Sequence, residues 1–347
     1  MHTHHGVGRE RSRVALVRGE DRTKIIQSAL ETVIDELPWA EFRQVLIKPN
    51  LVVSNAHHAI THRTTLETVL TVVRQRYHRN LVIAEGCAIE STPNAFVTHG
   101  YPELAQQYGC QLIDLNSDET IAVEAFGRGK HRMQVEMSRT LMNSDCRISL
   151  TVPKTHDAVM FTGSIKNMIM AGLVNRRVAD NPRRPAIMDR VGRFVFGHGN
   201  GWGSDKSAMH QHPSIMNLNL ARLAPLVWPH LAVLDGFVAM EGAGPISGTP
   251  VDWRVAVISA DPLAADVTAL ELMGFRVDEI GYLHYCTQMG LGRFRHNDIT
   301  LVGNVSREQV ARSFARHPNE AVQQQWELPD AANWLPVSAF QPVSTTN

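Results

Sequence analysis

The chain has 347 residues, 44% hydrophobic and 20% charged, with 34 Lys and Arg balanced by 34 Asp and Glu. That length is enough for roughly two domains, and a formal charge of zero removes the overall field that would draw the protein to nucleic acid or anionic lipid. No apolar run approaches the roughly 18 residues of a membrane span and the start of the chain lacks a secretory core, so a cytoplasmic protein with neither nucleic acid nor membrane as partner is expected. Cys87, Cys110, Cys146 and Cys286 are scattered with no close pair, so no Cys-ligated iron–sulfur cluster is expected.

Short β-branched runs alternate with helical patterns in the first half. Residues 14–17, 45–47, 81–84, 112–115 and 147–152 read as strands, several apolar on both faces, as for a sheet covered by helices on each side. Between them 22–37, 66–77 and 101–108 carry helical spacing, and 160–173 reads as a further helix with Phe161, Ile165, Met168, Ile169 and Leu173 near one face. The stretch 175–213 is rich in Gly, Arg, Asn and Pro and weak in periodicity, which suits a loop or lid. Beyond it 215–226 reads as helix, 231–234 and 255–258 as strands, 264–273 as a helix opened by Asp261-Pro262, and 299–302 as the last strand. The pattern predicts an α/β protein: two α/β lobes with mostly parallel sheets and a cleft between them. The expected units are a first lobe over 10–175, a Gly/Arg-rich loop or lid over 176–213, a second lobe over 214–305 and a peripheral tail over 306–347.

The basic residues include only six lysines, Lys24, Lys48, Lys130, Lys154, Lys166 and Lys206, and three of these fall in the least surface-like segments of the chain. Lysine is a compact charge whose pKa falls readily on burial, which suits anion binding and proton transfer. Lys48-Pro49-Asn50 closes a strand, where ligands collect in open α/β sheets, and presents a cation and an amide. Thr64 and Thr65 open a helix, where hydroxyls serve either as caps or, with the free N–H groups, as an anion site. Glu85-Gly86 ends another strand and offers a base, a ligand or a plain surface carboxylate. Lys154 and His156 are two apart, so an extended backbone points both the same way, an anion holder beside a group that titrates near neutrality. Lys166 and Asn167 sit among Ile165, Met168 and Ile169, where an unpaired ammonium is costly, so Lys166 is expected to face a polar cleft. His210 and His212 end the Gly-rich stretch. After Asp235-Gly236, the glycines of Glu241-Gly242-Ala243-Gly244-Pro245 make either a ligand-wrapping loop or a plain turn, without any nucleotide fingerprint.

In this order the segments resemble the domain of unknown function 362 family. The match rests on Lys48-Pro49-Asn50, Thr64-Thr65, Pro153-Lys154 with His156, Gly163 to Asn167, Asp235-Gly236, Glu241 to Pro245 with Gly248, and Asp261-Pro262 to Asp266, spanning about 44–303. Many members of that family carry a ferredoxin-like cluster module, whose closely spaced cysteines are absent here. The resemblance implies an intracellular α/β protein, and its fold is similar to that of the nickel-pincer lactate racemase family. No metal ligand or cofactor-attachment lysine of that family is carried over to a residue here.

The leading expectation is an enzyme of isomerase-, racemase- or lyase-like chemistry acting on a small carboxylate or phosphate. Lys154, Lys166, His156 and His212 would form its catalytic set; Lys48, Asn50, Thr64, Thr65, Asn167, Glu241, Gly242 and Gly244 would bind substrate. A second expectation is a metal-dependent or redox enzyme, with a divalent metal held by His156, His212, Asp235 and Glu241. A third is a non-catalytic ligand-binding accessory protein. A homo-oligomer is compatible with each.

Overall fold

The structure is a computed structural model that describes residues 11–52, 56–175, 209–210 and 212–336. The lid expected over 176–213 lies almost wholly outside the described residues.

Alternation in the strands dictates a layered fold. In β1 (Ser12–Arg18), Val14 and Leu16 face one way and Ala15 and Val17 the other; in β2 (Gln44–Lys48), Leu46 opposes Val45 and Ile47, all of them buried. A strand apolar on both faces needs cover on both. Helices α1 (Arg22–Val33), α2 (Arg63–Arg74), α3 (Thr92–Thr98) and α4 (Tyr101–Tyr108) place Leu30, Leu66, Phe96 and Leu104 in one core. After the short α5 (Arg139–Asn143), helices α6 (Ser164–Gly172), α7 (Pro213–Leu223), α8 (Pro262–Leu272) and α9 (Gly281–Gln288) place Ile165, Met216, Leu263 and Tyr282 in the other.

The intervening sheet is large and mostly parallel. It contains β3 (Asn80–Glu85), β4 (Gln111–Asp114), β7 (Cys146–Thr151), β10 (Leu231–Glu241), β11 (Thr249–Ser259) and β12 (Ile299–Gly303) besides β1 and β2, in the order β12-β1-β11-β10-β7-β2-β3-β4. Within that order only β11 runs antiparallel to its neighbours, β1 and β10. Strands from both sides of 176–213 thus lie in one sheet, and the two halves of the chain supply mainly its two helical layers. Beyond β12 the chain returns to the core, burying Val310, Phe314, Trp326 and Leu335.

Two local readings change. A hairpin of β5 (Thr120–Phe126) and β6 (Arg132–Ser138) occupies a region given no element above; its period-two alternation around Gly127 and Gly129 was the available signal. The helix expected from 160 starts at Ser164. Met160–Thr162 is instead β9, folded back on β8 (Lys154–His156), and Met160 has φ of 65°, outside the right-handed helical region. The glycines at 242–248 link the long antiparallel strands β10 and β11, with Gly242 in the left-handed region at φ 72°.

Candidate active site

Parallel neighbours β2, β3 and β7 end side by side, since Ile47 pairs with Ile83 and Lys48 with Ser149. Lys48 follows Leu46 by two and faces the α6 layer. Its Nζ donates to Glu85 Oε2 at 3.0 Å and to Asn167 Oδ1 at 2.5 Å. Asn167 is fixed by its own amide, which donates to Ser149 Oγ at 3.0 Å and to the Leu150 carbonyl at 3.1 Å. Asn50 Nδ2 donates to the same Asn167 oxygen at 2.7 Å, and Asn50 Oδ1 accepts from Lys154 Nζ at 3.1 Å. Lys154 Nζ also donates to the Ala59 carbonyl at 2.5 Å. Glu85 accepts further from the N–H groups of Leu51 at 2.7 Å and Gly86 at 2.8 Å. Every side chain in this path from Glu85 to Lys154 is buried.

Lys166 and His156 meet beside it. Lys166 Nζ lies 2.9 Å from His156 Nε2, and on the far side of the ring Nδ1 lies 3.0 Å from Asp157 Oδ1 and accepts from Ala158 N–H at 3.0 Å. The His156 carbonyl accepts from buried Gln323 at 2.6 Å, which ties β8 to the C-terminal segment. Burial pushes all these bases down. Lys48 is lowered despite the opposing pull of Glu85; Lys154 falls to about 7, with Lys166 and Lys48 adding to the burial effect; Lys166 falls to about 8, with Lys48 adding and Asp157 opposing. Burial, reinforced by Lys166, brings His156 to about 3, so its ring is neutral at pH 7.

Helix α6 carries Lys166 and Asn167 and is held from outside. Buried Asp266, on α8, accepts from the N–H groups of Ser164 at 2.7 Å and Ile165 at 3.0 Å, capping α6 across 102 and 101 residues of sequence. A Cβ at Gly163 would lie 2.5 Å from that carboxylate. Gly163→Ala should therefore cost about 1–3 kcal/mol in urea unfolding and loosen the lysine helix; a neutral result would show that Asp266 can move aside.

The remaining expected residues are placed elsewhere. His212 is exposed, and its Nδ1 accepts from Ser214 N–H at 3.2 Å to cap α7; His210 is near enough to bear on the charges of His156 and Asp157, and His317 also lies within reach of Asp157. Thr65 donates to Asp235 Oδ2 at 2.5 Å, while Arg22 stands 3.6 Å from the same oxygen. This cluster lies on the α1–α2 side of the sheet, because Asp235 follows Leu234, which packs on the α6 side. Thr64 is half-buried in the first turn of α2, its N–H donating to His62 Nδ1. Glu241 accepts from Ala315 N–H at 2.9 Å, and the Gly242 carbonyl accepts from Thr155 Oγ1 at 2.9 Å. A Cβ at Gly244 would lie 2.1 Å from the Thr155 carbonyl, so Gly244 serves close packing against β8, while Gly242 supplies the left-handed turn. In a strand, Thr155 faces away from Lys154 and His156, which explains why the glycine turn does not reach the lysines. Among the described residues no three His, Cys, Asp or Glu side chains are placed to hold a metal ion, and His156, His212, Asp235 and Glu241 do not form such a group.

A mostly parallel α/β sheet with lysines and amides gathered at its strand ends defines the class. The chain belongs to the family described as a domain of unknown function, DUF362, whose model matches residues 45–271. It is 22% identical over 290 residues to the thylakoid-associated protein sll1697 of Synechocystis sp., covering 83% of this chain and 76% of that one. Among solved structures it is similar to the lactate racemase apoprotein of Thermoanaerobacterium thermosaccharolyticum, with TM-score 0.44 and 14% identity over 75% of this chain. The chain spans 58% of that racemase's length. Among the described residues no helix is long and apolar enough to cross a membrane.

Proposed function

We propose that the protein is an enzyme that binds a small carboxylate- or phosphate-bearing molecule beside Lys48, Lys154 and Lys166 and moves a proton through His156. The observation that carries this reading is the local imbalance of charge. Three buried amines stand together, and among the described residues one buried carboxylate, Glu85, is ion-paired to them, at Lys48. A buried cation is tolerated when paired or hydrogen-bonded, and an anionic ligand supplies what Lys154 and Lys166 lack. Asn50 and Asn167 hold the amines in register, each bridging two partners. His156 is neutral at pH 7 and in hydrogen-bond contact with Lys166, so a proton can be exchanged between ring and amine without either leaving its place.

Sulfate should raise the thermal midpoint of the wild-type protein, and Lys154→Met should abolish that rise. A retained rise would remove Lys154 from the anion site. Proton transfer is read separately, as deuterium incorporation at C3, next to the carbonyl, when pyruvate or oxaloacetate is incubated with protein in D2O. His156→Ala, folded by circular dichroism, should reduce the rate by roughly 100-fold or more. Sulfate stabilisation without any exchange would identify a binding protein and reject the enzymatic reading.

A further inference from the structure

We infer that Lys166 is a nucleophilic amine that forms a Schiff base with the carbonyl carbon of a small 2-oxo acid. This rests on the anion-site reading above and narrows its substrate class.

The three buried lysines are not equivalent. Lys48 is committed to Glu85 and Asn167, and Lys154 to Asn50 and the Ala59 carbonyl. Among the described residues the hydrogen bond of Lys166 is to an imidazole, which is itself in contact with a carboxylate: Lys166 Nζ, His156 Nε2 at 2.9 Å, His156 Nδ1, Asp157 Oδ1 at 3.0 Å. This is the order of a nucleophile, its base and the group that orients the base. The second bond at Nδ1 gives the ring two neutral states. With Nδ1–H turned to Asp157, Nε2 accepts from the ammonium; with Nδ1 accepting from Ala158 N–H, Nε2–H donates to the free amine. The charged and titratable groups bearing on the pair are Lys48, Lys154, Asp157 and His210. Burial and then Lys48 disfavour a proton on Lys166, against the pull of Asp157, and Lys48 and Lys154 would attract the carboxylate of the acid. With its pKa at about 8, roughly a tenth of Lys166 is free amine at pH 7.

The chemistry balances without a redox partner. The free amine adds to the carbonyl carbon, forming a C–N bond. The proton that Lys166 gave up in becoming the free amine, and then one proton of the bound amine, pass through His156 Nε2 to the carbonyl oxygen, whose bond to carbon breaks. That oxygen leaves as water, so the ammonium and the 2-oxo acid become a protonated imine and one water.

The probe is glyoxylate with sodium borohydride at pH 7, applied to the wild-type full-length chain and followed by peptide mass mapping. Carboxymethylation at Lys166 should precede that at Lys24 and Lys130 by roughly tenfold or more, and should rise with pH up to about 8. His156→Gln should slow it at Lys166 and leave Lys24 unchanged. Labelling in order of exposure, with Lys166 unmodified, would overturn the inference, as would preference for Lys48 or Lys154. Sulfate stabilisation with no adduct would reject the Schiff base and leave the anion site standing; absence of both would reject the two together.

Discussion

Glu85→Ala should lower folding stability by about 3–5 kcal/mol, the largest effect expected of any single change at this site. Lys48 would keep its buried position and lose the one carboxylate it touches among the described residues, and the N–H groups of Leu51 and Gly86 would lose the Glu85 acceptor. Glu85→Gln keeps a neutral acceptor and should cost less. The double variant Lys48→Met/Glu85→Gln should recover part of the loss, since no unpaired cation remains. Urea midpoints read at constant m-value give these differences. A loss below about 1 kcal/mol for Glu85→Ala would mean that Lys48 sheds its proton in the fold, and the charge imbalance argued above would shrink accordingly.

Stability of the free protein and its affinity for sulfate should change in opposite directions with pH. In the unfolded chain Lys154 and Lys166 have the ordinary lysine value of 10.5; folding lowers them to about 7 and about 8. A base depressed in the fold contributes stability that is fully present above its unfolded value and is lost as pH falls through its folded value. Between about pH 8 and 10 the unfolded state therefore holds more protons, and stability should rise with pH by up to roughly 1.4 kcal/mol per unit for each lysine. Sulfate keeps its charge over this range and binds the protonated amines. Its stabilising effect should be greatest near pH 6–7 and fade by about pH 9–10, with proton uptake on binding. Isothermal titration in two buffers of different ionisation heat measures that uptake. Binding that is independent of pH would exclude Lys154 and Lys166 from the anion site. Asp266 contributes in the opposite sense: burial raises it from 3.8 to about 7, so the stability it adds is fully present below about pH 4 and lost as pH rises through 7. The measurement above pH 8 avoids that window.

Much of the architecture was legible. The strands apolar on both faces required two helical layers, and the period of two in Lys154-Thr155-His156 required its basic side chains to share a direction. Sparse lysine use marked Lys48, Lys154 and Lys166, all of which are buried. Other readings failed for want of long-range information. Asp266 looked like part of its own helix start, yet it caps α6. The glycines after Glu241 suited either a ligand-wrapping loop or a plain turn, and spacing gave no sign that Gly244 packs on Thr155. Asp157 carries no signal beyond standing next to His156; only the bend between β8 and β9 turns its carboxylate to the ring.

Where ammonium, amide and imidazole groups sit on strand ends and helix turns follows from residue order alone, because periodicity and burial are local properties of a chain. Their partners come from the way the strands and helices assemble. Lys48 reaches Glu85 across 37 residues and Asn167 across 119 because β3, β2 and β7 are neighbours and α6 lies over them. Strand order is set by which apolar faces pack together throughout the sheet, and no local spacing encodes that choice.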